Sequence, residues 1–540
     1  MARVLIADNL EAAAAETLKK LGVPVDHRPD LAKKPDELKA TLPDYDAVIV
    51  RSAAKITAAM LEHPGKLRAI ARAGVGVDTI DVPAATRKGI VVMNTPGGNT
   101  VSAAEHTIAL LMSLARLVPQ ADATMKKGGW DRNKFVGTQV TGKTLGVIGL
   151  GRIGREVAKR AAGLEMKVVA FDPFVTPDKV AEMGYKPAAS IDAMLPEVDF
   201  LTIHVPLTDE TKSLIGAAEL AKMKKGARIL NVARGGIVDE AALAEALKSG
   251  AIGGAGIDVF SAEPIVAENP LLGAPNIVLT PHLGASTFEA QETVAIEAAE
   301  LIANFLQKGI VANAVNMAAV DRKELDELKQ YVDLARRLGL LHSQMNHGQI
   351  KKVILTYKGD LASKKTKLLT SAFTAGLLES HMSGVNLVNA EVMARDRGIE
   401  IISSSSPKKD DFASLMQADV ETDKKTYTAA GTLFGNEYLR LVRLGAYRLE
   451  AYLDGVLFVF SHHDRPGVIG FMGSTFGKHA VNIAAMNLGR QTPGGEAIGV
   501  LNLDTVPSSA AVEEVGNHEH ITSVSVVKLP PAGELPAWLA

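Results

Sequence analysis

Short apolar runs separated by helical patterns recur from the first residues of the chain. The run "RVLIAD" reads as a strand and residues 9–21 as a helix. "DAVIV" (46–50), "LRAIARAG" (67–74) and "GIVVMN" (89–94) read as further strands. Unbroken apolar runs suit strands buried on both faces, so this region predicts a parallel sheet covered by helices. After "NTPGG" the period changes, and from about residue 100 it is that of a long apolar helix. A second alternation follows: "KTLGVIG", "KVVAFD", "VDFLTIHVP", "ARILNVARG", "GAGIDVF" and "NIVLTPH". Six such runs with helices between them predict a doubly wound sheet. Residues 285–308 then read as one more long helix.

Near residue 317 the texture changes. "DRKELDELKQYVDLARRLGLLHSQ" predicts a polar amphipathic helix, and strands and helices mix up to about residue 450. The last stretch has its own rhythm. "VLFVFSHHD" is a strand, "RPGVIGFMGSTFGKHA" a helix with Pro466 near its start, and "VNIAAMNLGR" and "EAIGVLNLD" strands joined through "TPGG". A helix after Val506 and the strand "ITSVSVVKL" complete a βαββαβ order, a ferredoxin-like unit.

At 540 residues the chain exceeds one ordinary core, and about three or four domains are expected. Its 59 basic and 61 acidic side chains leave a net charge of −2, so no overall attraction to nucleic acid or anionic membrane is expected. The absence of cysteine excludes disulfides, thiolate nucleophiles and cysteine metal sites, and no metal is expected. "MARVLIADNL" reads as a first strand rather than a signal peptide, and no apolar run is long enough to span a membrane. A cytoplasmic, multidomain protein is the expectation.

Gly149, Gly151 and Gly154 form G-x-G-x-x-G between a strand and a helix, and the next strand ends in Asp172. The first glycine permits a tight turn. The second lets backbone N–H groups approach a pyrophosphate, and the third lets helix and strand pack closely. Asp172 is placed to accept hydrogen bonds from ribose hydroxyls and to repel a 2′-phosphate, which favours NAD over NADP; nearby Arg155 weakens that exclusion a little. Three later strands end in Arg234, Glu263 and His282. Hydride transfer from a secondary alcohol needs a group that takes the hydroxyl proton, and histidine oriented by a glutamate suits that role. It also needs a cation that grips a carboxylate and polarises the carbonyl, and arginine suits that one. Two histidines, His106 and His204, read equally well as core or as cofactor-facing.

The segments "GLGRIG", "NVARGGIVDE", "GIDVFSAEP" and "TPHLGAS" resemble the D-2-hydroxyacid dehydrogenase family. The resemblance implies that Arg234, Glu263 and His282 form the catalytic set. It further implies that Val75, Arg152, Ile153, Val205, Val232, Ala233, Asp258, Gly284 and Ala285 join the glycine turn around NAD. It also implies a Rossmann-type NAD domain (99–285) inserted in a flavodoxin-like substrate domain (1–98 and 286–317). A regulatory α/β domain (318–452) and an ACT domain (453–540) follow.

"VRSAAKIT", "ARAGVGVDTID", "NTPGGNTVSAAEH" and "GGWDRNKFVGTQVTGKTLG" are similar to the long branch of that family, which oxidises 3-phosphoglycerate on the way to serine. Arg51, Arg72 and Asn99 are then expected beside Arg234 at the substrate, with Arg132 and Lys134 adding charge for its phosphate, in the same copy or across a dimer interface. Val75 departs from the hydroxyl residue common in relatives. ACT resemblance implies that Asp464 and Asn482 bind L-serine as effector, and that the chain is a homotetramer; the pair His462-His463 departs from that pattern. A glyoxylate, hydroxypyruvate or glycerate reductase is the alternative enzyme, and a nucleotide-sensing corepressor the alternative of another class.

Overall fold

Runs of Val, Ile, Leu and Ala pair into four sheets in the computed structural model, which describes residues 2–318, 322–345, 348–409, 411–435 and 437–535. The end of the last expected domain, residues 536–540, lies outside the described residues.

The first sheet is wholly parallel, in the order Val25–His27, Val4–Ile6, Ala47–Val50, Ala69–Arg72, Val91–Asn94. This is the flavodoxin-like order. Its central strands are buried on both faces, which explains their unbroken apolar runs. One face is covered from within the first hundred residues, by Leu31, Leu38, Leu42, Leu61 and their neighbours. The other face is covered partly from far along the chain, by Val294, Ala298, Leu301 and Ile302 of the helix Phe288–Lys308.

The second sheet is also parallel. Its order is Ile277–Leu279, Gly254–Ile257, Arg228–Asn231, Phe200–Ile203, Thr144–Ile148, Lys167–Phe171, Lys186–Pro187. Strand order reverses between Thr144–Ile148 and Phe200–Ile203, so a crevice opens at the C-terminal ends of these two strands, where open α/β sheets bind ligands. Leu110, Leu111 and Leu114 of the helix Thr100–Arg116 pack against one face of this sheet.

The third sheet is mixed. Glu400–Ser406 runs parallel to Ile350–Gly359, which continues antiparallel through Ser414–Thr422, Thr426–Phe434, Tyr438–Leu444 and Tyr447–Tyr452. The helices Arg322–Met345 and Thr366–Glu379 cross where glycines let backbones meet: a Cβ on Gly339 would lie 2.2 Å from the Phe373 carbonyl. The fourth sheet is antiparallel, in the order Ile483–Arg490, Glu496–Leu503, Val456–His463, Ile521–Lys528, with the helices Val468–Lys478 and Ser509–Gly516 between strands. This is the expected βαββαβ order. Among the described residues no single helix is long and apolar enough to cross a membrane.

Two strands escape the sequence pattern. Val25–His27 is a short edge strand whose residues are half-buried or exposed, and Lys186–Pro187 spans two residues.

Candidate active site

A cleft of about 300 Å³ opens where the first two sheets face each other. Its glycine turn divides the work as the sequence suggests. Gly149 has φ +91°, and a Cβ there would lie 2.5 Å from the His204 carbonyl oxygen. Gly154, inside the helix Arg152–Gly163, would place a Cβ 1.9 Å from the Gly149 oxygen. Around Gly151, at the mouth of that helix, the space within 4 Å is open. The turn is pinned by Asp172, whose Oδ2 accepts from the Leu150 amide and whose Oδ1 accepts from the Phe174 amide, both at 2.8 Å. Arg155 Nε donates to the Leu150 oxygen at 2.7 Å, so this guanidinium is anchored on the turn itself.

Val75, Asn99, Gly151, Arg152, Ile153, Val205, Val232, Ala233, Arg234, His282, Gly284 and Ala285 all line the cleft. The cleft also presents buried polar atoms without a partner in the chain, Asn99 Oδ1 and His204 Nδ1. Open space at a glycine beside helix-start amides, together with unpaired polar atoms, fits a dinucleotide. Burial pushes the His204 imidazole down to about 3, so it is neutral, with Nε2 held 2.9 Å from Thr202 Oγ1.

His282 follows the strand Ile277–Leu279 and sits in the left-handed region, φ +55°. For a residue other than glycine this conformation persists only where the surroundings impose it. Asp258 imposes it. Its main-chain oxygen accepts from the His282 amide at 2.9 Å. Its carboxylate accepts from Leu283 N at 2.7 Å, Gly284 N at 2.9 Å and Thr280 Oγ1 at 2.6 Å, with His106 Nε2 at 3.2 Å. Burial pushes the Asp258 carboxyl up, but hydrogen bonds from His106, Thr280 and the Leu283 amide outweigh this and hold it below the usual range. Asp258 therefore does not line the cleft; it is fully buried behind the turn it shapes. His106 belongs to the same buried group.

The turn delivers His282 Nδ1 to within 2.7 Å of Glu263 Oε2, while Glu263 Oε1 accepts from Phe260 N at 3.0 Å. One carboxylate oxygen thus fixes the glutamate and the other fixes the imidazole. Arg234 reaches the cleft because Asn231, buried at its strand end, bonds both the Ala233 amide (3.1 Å) and the Arg234 oxygen (2.9 Å). Arg51 comes from a loop gathered by buried Asp8, which accepts from the amides of Arg51, Ala53 and Ala54 at 2.9–3.0 Å. Arg72 Nε donates to the Arg51 oxygen at 3.3 Å. Burial, and then the neighbouring Arg234 charge, pull the Arg72 guanidinium down to about 10; Arg51 adds to the effect. The three arginines are one electrostatic group.

Arg132 and Lys134 are the residues expected to add phosphate charge, in this copy or across a dimer interface. They sit on the exposed turn Arg132–Phe135, with Lys134 paired to Asp131 at 2.7 Å, and neither lines this chain's cleft. In the fourth sheet, Asp464 accepts from Arg490 (2.7 Å) and Gly494 N (3.0 Å), which hold its carboxyl below the usual range. Asn482 donates to Asp504 at 2.7 Å. Both expected effector residues are engaged within their own copy.

Two residues at this site escape sequence reasoning. Asp78 pairs with Arg234 at 3.5 Å, and Gln291 accepts from Arg51 at 3.2 Å. The acid two places after Gly76 in "GVGVD" was a usable signal for the first. Gln291 reads as an ordinary polar position of a helix.

The geometry is that of a nicotinamide-dependent hydroxyacid oxidoreductase, and comparison with known proteins agrees. Residues 108–284 match the family "D-isomer specific 2-hydroxyacid dehydrogenase, NAD binding domain", and residues 327–445 match "D-3-phosphoglycerate dehydrogenase intervening domain". The chain belongs to the D-2-hydroxyacid dehydrogenase family and is an NAD-dependent enzyme. It is 42% identical to the D-3-phosphoglycerate dehydrogenase of Archaeoglobus fulgidus over 98% of this chain and 100% of that protein. The enzyme of the same name from Bacillus subtilis is 39% identical with the same coverage. Among solved structures, the TT0316 protein of Thermus thermophilus superposes with TM-score 0.53 at 36% identity, covering 58% of this chain and 99% of that one. An NAD-dependent formate dehydrogenase from Staphylococcus aureus in complex with NAD gives 0.51 at 30%, covering 57% and 96%.

Proposed function

We propose that the chain oxidises 3-phospho-D-glycerate to 3-phosphohydroxypyruvate, the first step of L-serine synthesis. The observation that carries this reading is that Arg234, which lines the cleft with His282, is coupled electrostatically to Arg72 and through it to Arg51. One guanidinium suffices for a monocarboxylic acid; a grouped set of three matches an acid that also bears a phosphate. Whole-length relatives named for that reaction support the same substrate.

In this reading Arg234 grips the substrate carboxylate and polarises the carbonyl that forms as hydride leaves, with Arg51, Arg72 and Asn99 beside it. His282 takes the hydroxyl proton, and Glu263 holds the ring and stabilises the imidazolium that results. NAD, when bound, supplies the hydride acceptor. Its pyrophosphate would lie at the glycine turn, its ribose near Asp172, and its nicotinamide half among Val75, Val205, Val232, Ala233, Gly284 and Ala285. Arg132 and Lys134 add phosphate charge to the cleft of a second copy.

The proposal extends to the whole chain. Residues 1–98 and 286–317 form the substrate domain, 99–285 the NAD domain, 318–452 a regulatory domain and 453–540 an ACT domain. Paired copies bind L-serine at Asp464 and Asn482 within a cytoplasmic homotetramer. The test is the initial rate of NADH formation from 3-phosphoglycerate beside unphosphorylated D-glycerate, at alkaline pH with a carbonyl trap. A strong preference for the phosphorylated acid is expected and makes serine titration the sequel. A preference for glycerate keeps the dehydrogenase and removes the phosphate site.

A further inference from the structure

Arg234 lines the cleft, and Asp78 reaches it from the other of the two parallel sheets. Asp78 belongs to the segment after the strand Ala69–Arg72 of the first sheet, and Arg234 to the turn after Arg228–Asn231 of the second. Their side chains nevertheless pair, Arg234 Nε to Asp78 Oδ2 at 3.5 Å. Gly76 makes the meeting possible. A Cβ on it would lie 2.3 Å from Arg234 Nη2 and 2.6 Å from Asp78 Oδ2, so any side chain there would fill the space the two charges share. Gly74 does the same for Arg72, whose Nη1 would be 2.2 Å from its Cβ.

Around this pair the balance of charge is uneven. Arg51, Arg72 and Arg234 face two nearby carboxylates, and one of these, Asp8, is committed to main-chain amides. Asp78 is the exposed one: 76% of its side chain is open to solvent, against 29% for Arg234. An ion pair so exposed is weak and readily exchanged.

We propose that Asp78 is a positioning residue for substrate binding: it is a resident counter-anion that occupies the Arg234 guanidinium and yields it to the substrate's carboxylate. This rests on the reading of Arg234 as the carboxylate grip. Asp78 then acts through Arg234 as a competitor. An incoming carboxylate must displace one already paired, and a loose anion that cannot make two hydrogen bonds to the guanidinium fork displaces it poorly. Affinity for the substrate and for any other carboxylate is lowered by the same exchange.

The test is steady-state kinetics of full-length Asp78→Asn, with acetate as a probe that carries a carboxylate and nothing else. The KM for the hydroxy acid and the inhibition constant of acetate should both fall, each by up to about fivefold, the fold-change an exposed ion pair corresponds to. Asp78→Glu should return both toward the wild-type values, which a merely structural defect would not do. Unchanged or raised values, or no restoration by Asp78→Glu, overturn the proposal. If Asp78→Asn does not fold, as judged by its unfolding midpoint, Asp78→Ser is read in the same way. Arg234→Lys separates the two claims. If it raises KM and the acetate constant while Asp78→Asn changes neither, only the role of Asp78 falls. If Arg234→Lys changes neither constant, the carboxylate grip is elsewhere and both fall.

Discussion

Arg337 and Asp333 meet at 2.9 Å one turn apart on the helix Arg322–Met345, and Arg337 is only 1% exposed. Its remaining donors reach the main-chain oxygens of Leu453, Pro530, Pro531 and Glu534, just before the first strand and just after the last strand of the fourth sheet. Burial pushes the Asp333 carboxyl up, against the pull of the Arg337 charge. A buried pair of this kind adds little beyond an apolar pair of the same shape, but losing one partner leaves the other charge stranded. Arg337→Ala should therefore destabilise the chain by about 3–5 kcal/mol. The double change Arg337→Met with Asp333→Leu should recover only part of that loss in a denaturant titration, because the four main-chain oxygens still lose their donors.

The glycine turn separates two kinds of loss. Gly154→Ala must push a Cβ into the Gly149 oxygen, so the unfolding temperature should drop together with NAD affinity. Gly151→Ala meets no atom of the chain within 4 Å. Its unfolding temperature should hold while NAD affinity, measured by nucleotide fluorescence, falls at least tenfold. Equal thermal losses in both variants would remove Gly151 from the pyrophosphate site.

Glu263→Gln retains the shape of the partner that orients His282 but removes its charge. Turnover should fall on the order of 10²-fold, within the usual reach of acid–base assistance, with NAD binding intact. His282→Ala should lose more turnover and likewise keep its nucleotide.

Asp172 carries two tasks, since its oxygens already hold the Leu150 and Phe174 amides. Asp172→Ala should lower the ratio of NAD to NADP efficiency and, in addition, loosen the turn, raising KM for both nucleotides. A changed ratio with no rise in the NAD constant would show that the amide bonds matter little.

Acid should find a weak point far from the cleft. His342 is 3% exposed, packs edge-on against Phe373, and burial pulls its imidazole down to about 4 from 6.5. As pH falls below 6.5 the unfolded chain takes up this proton before the folded one, so stability is lost between about 6.5 and 4. The linked loss is on the order of 3 kcal/mol. Above 6.5 the group contributes no pH dependence. Chemical unfolding at several pH values should show the stability of wild type minus that of His342→Leu falling as the solution is acidified below 6.5; a constant difference would mean that His342 is not held neutral.

Much of this was legible in the residues because strand ends and ligand sites coincide in open parallel sheets. Arg234, Glu263 and His282 each follow a strand or its turn, and the apolar runs mark those strands. The edge strand Val25–His27 was illegible because Asp26 and His27 break any apolar run. Asp258 was expected at NAD from the family resemblance, yet only the fold shows its oxygens turned back on the 280–284 turn. Arg132 and Lys134 carry the right charge, but their distance from the cleft depends on the path of an exposed turn. Gln291 had no signal at all, since its pairing with Arg51 joins two segments remote in sequence.

The helix Phe288–Lys308, which closes one face of the first sheet, bears on how the protein is born. Residues 4–92 can assemble their other face as soon as they leave the ribosome, but Val294, Ala298 and Ile302 do not yet exist. At about 5–20 residues per second, the nascent sheet waits ten seconds or more with one greasy side covered only in part, by Ala14 and Leu18 of the helix Ala12–Lys20. The segment that includes the glycine turn is completed during that wait, and the first strands to emerge are among the last to be sealed. Chains stalled before residue 290 should accordingly bind chaperones through their N-terminal strands, and chains stalled well past residue 308 should not.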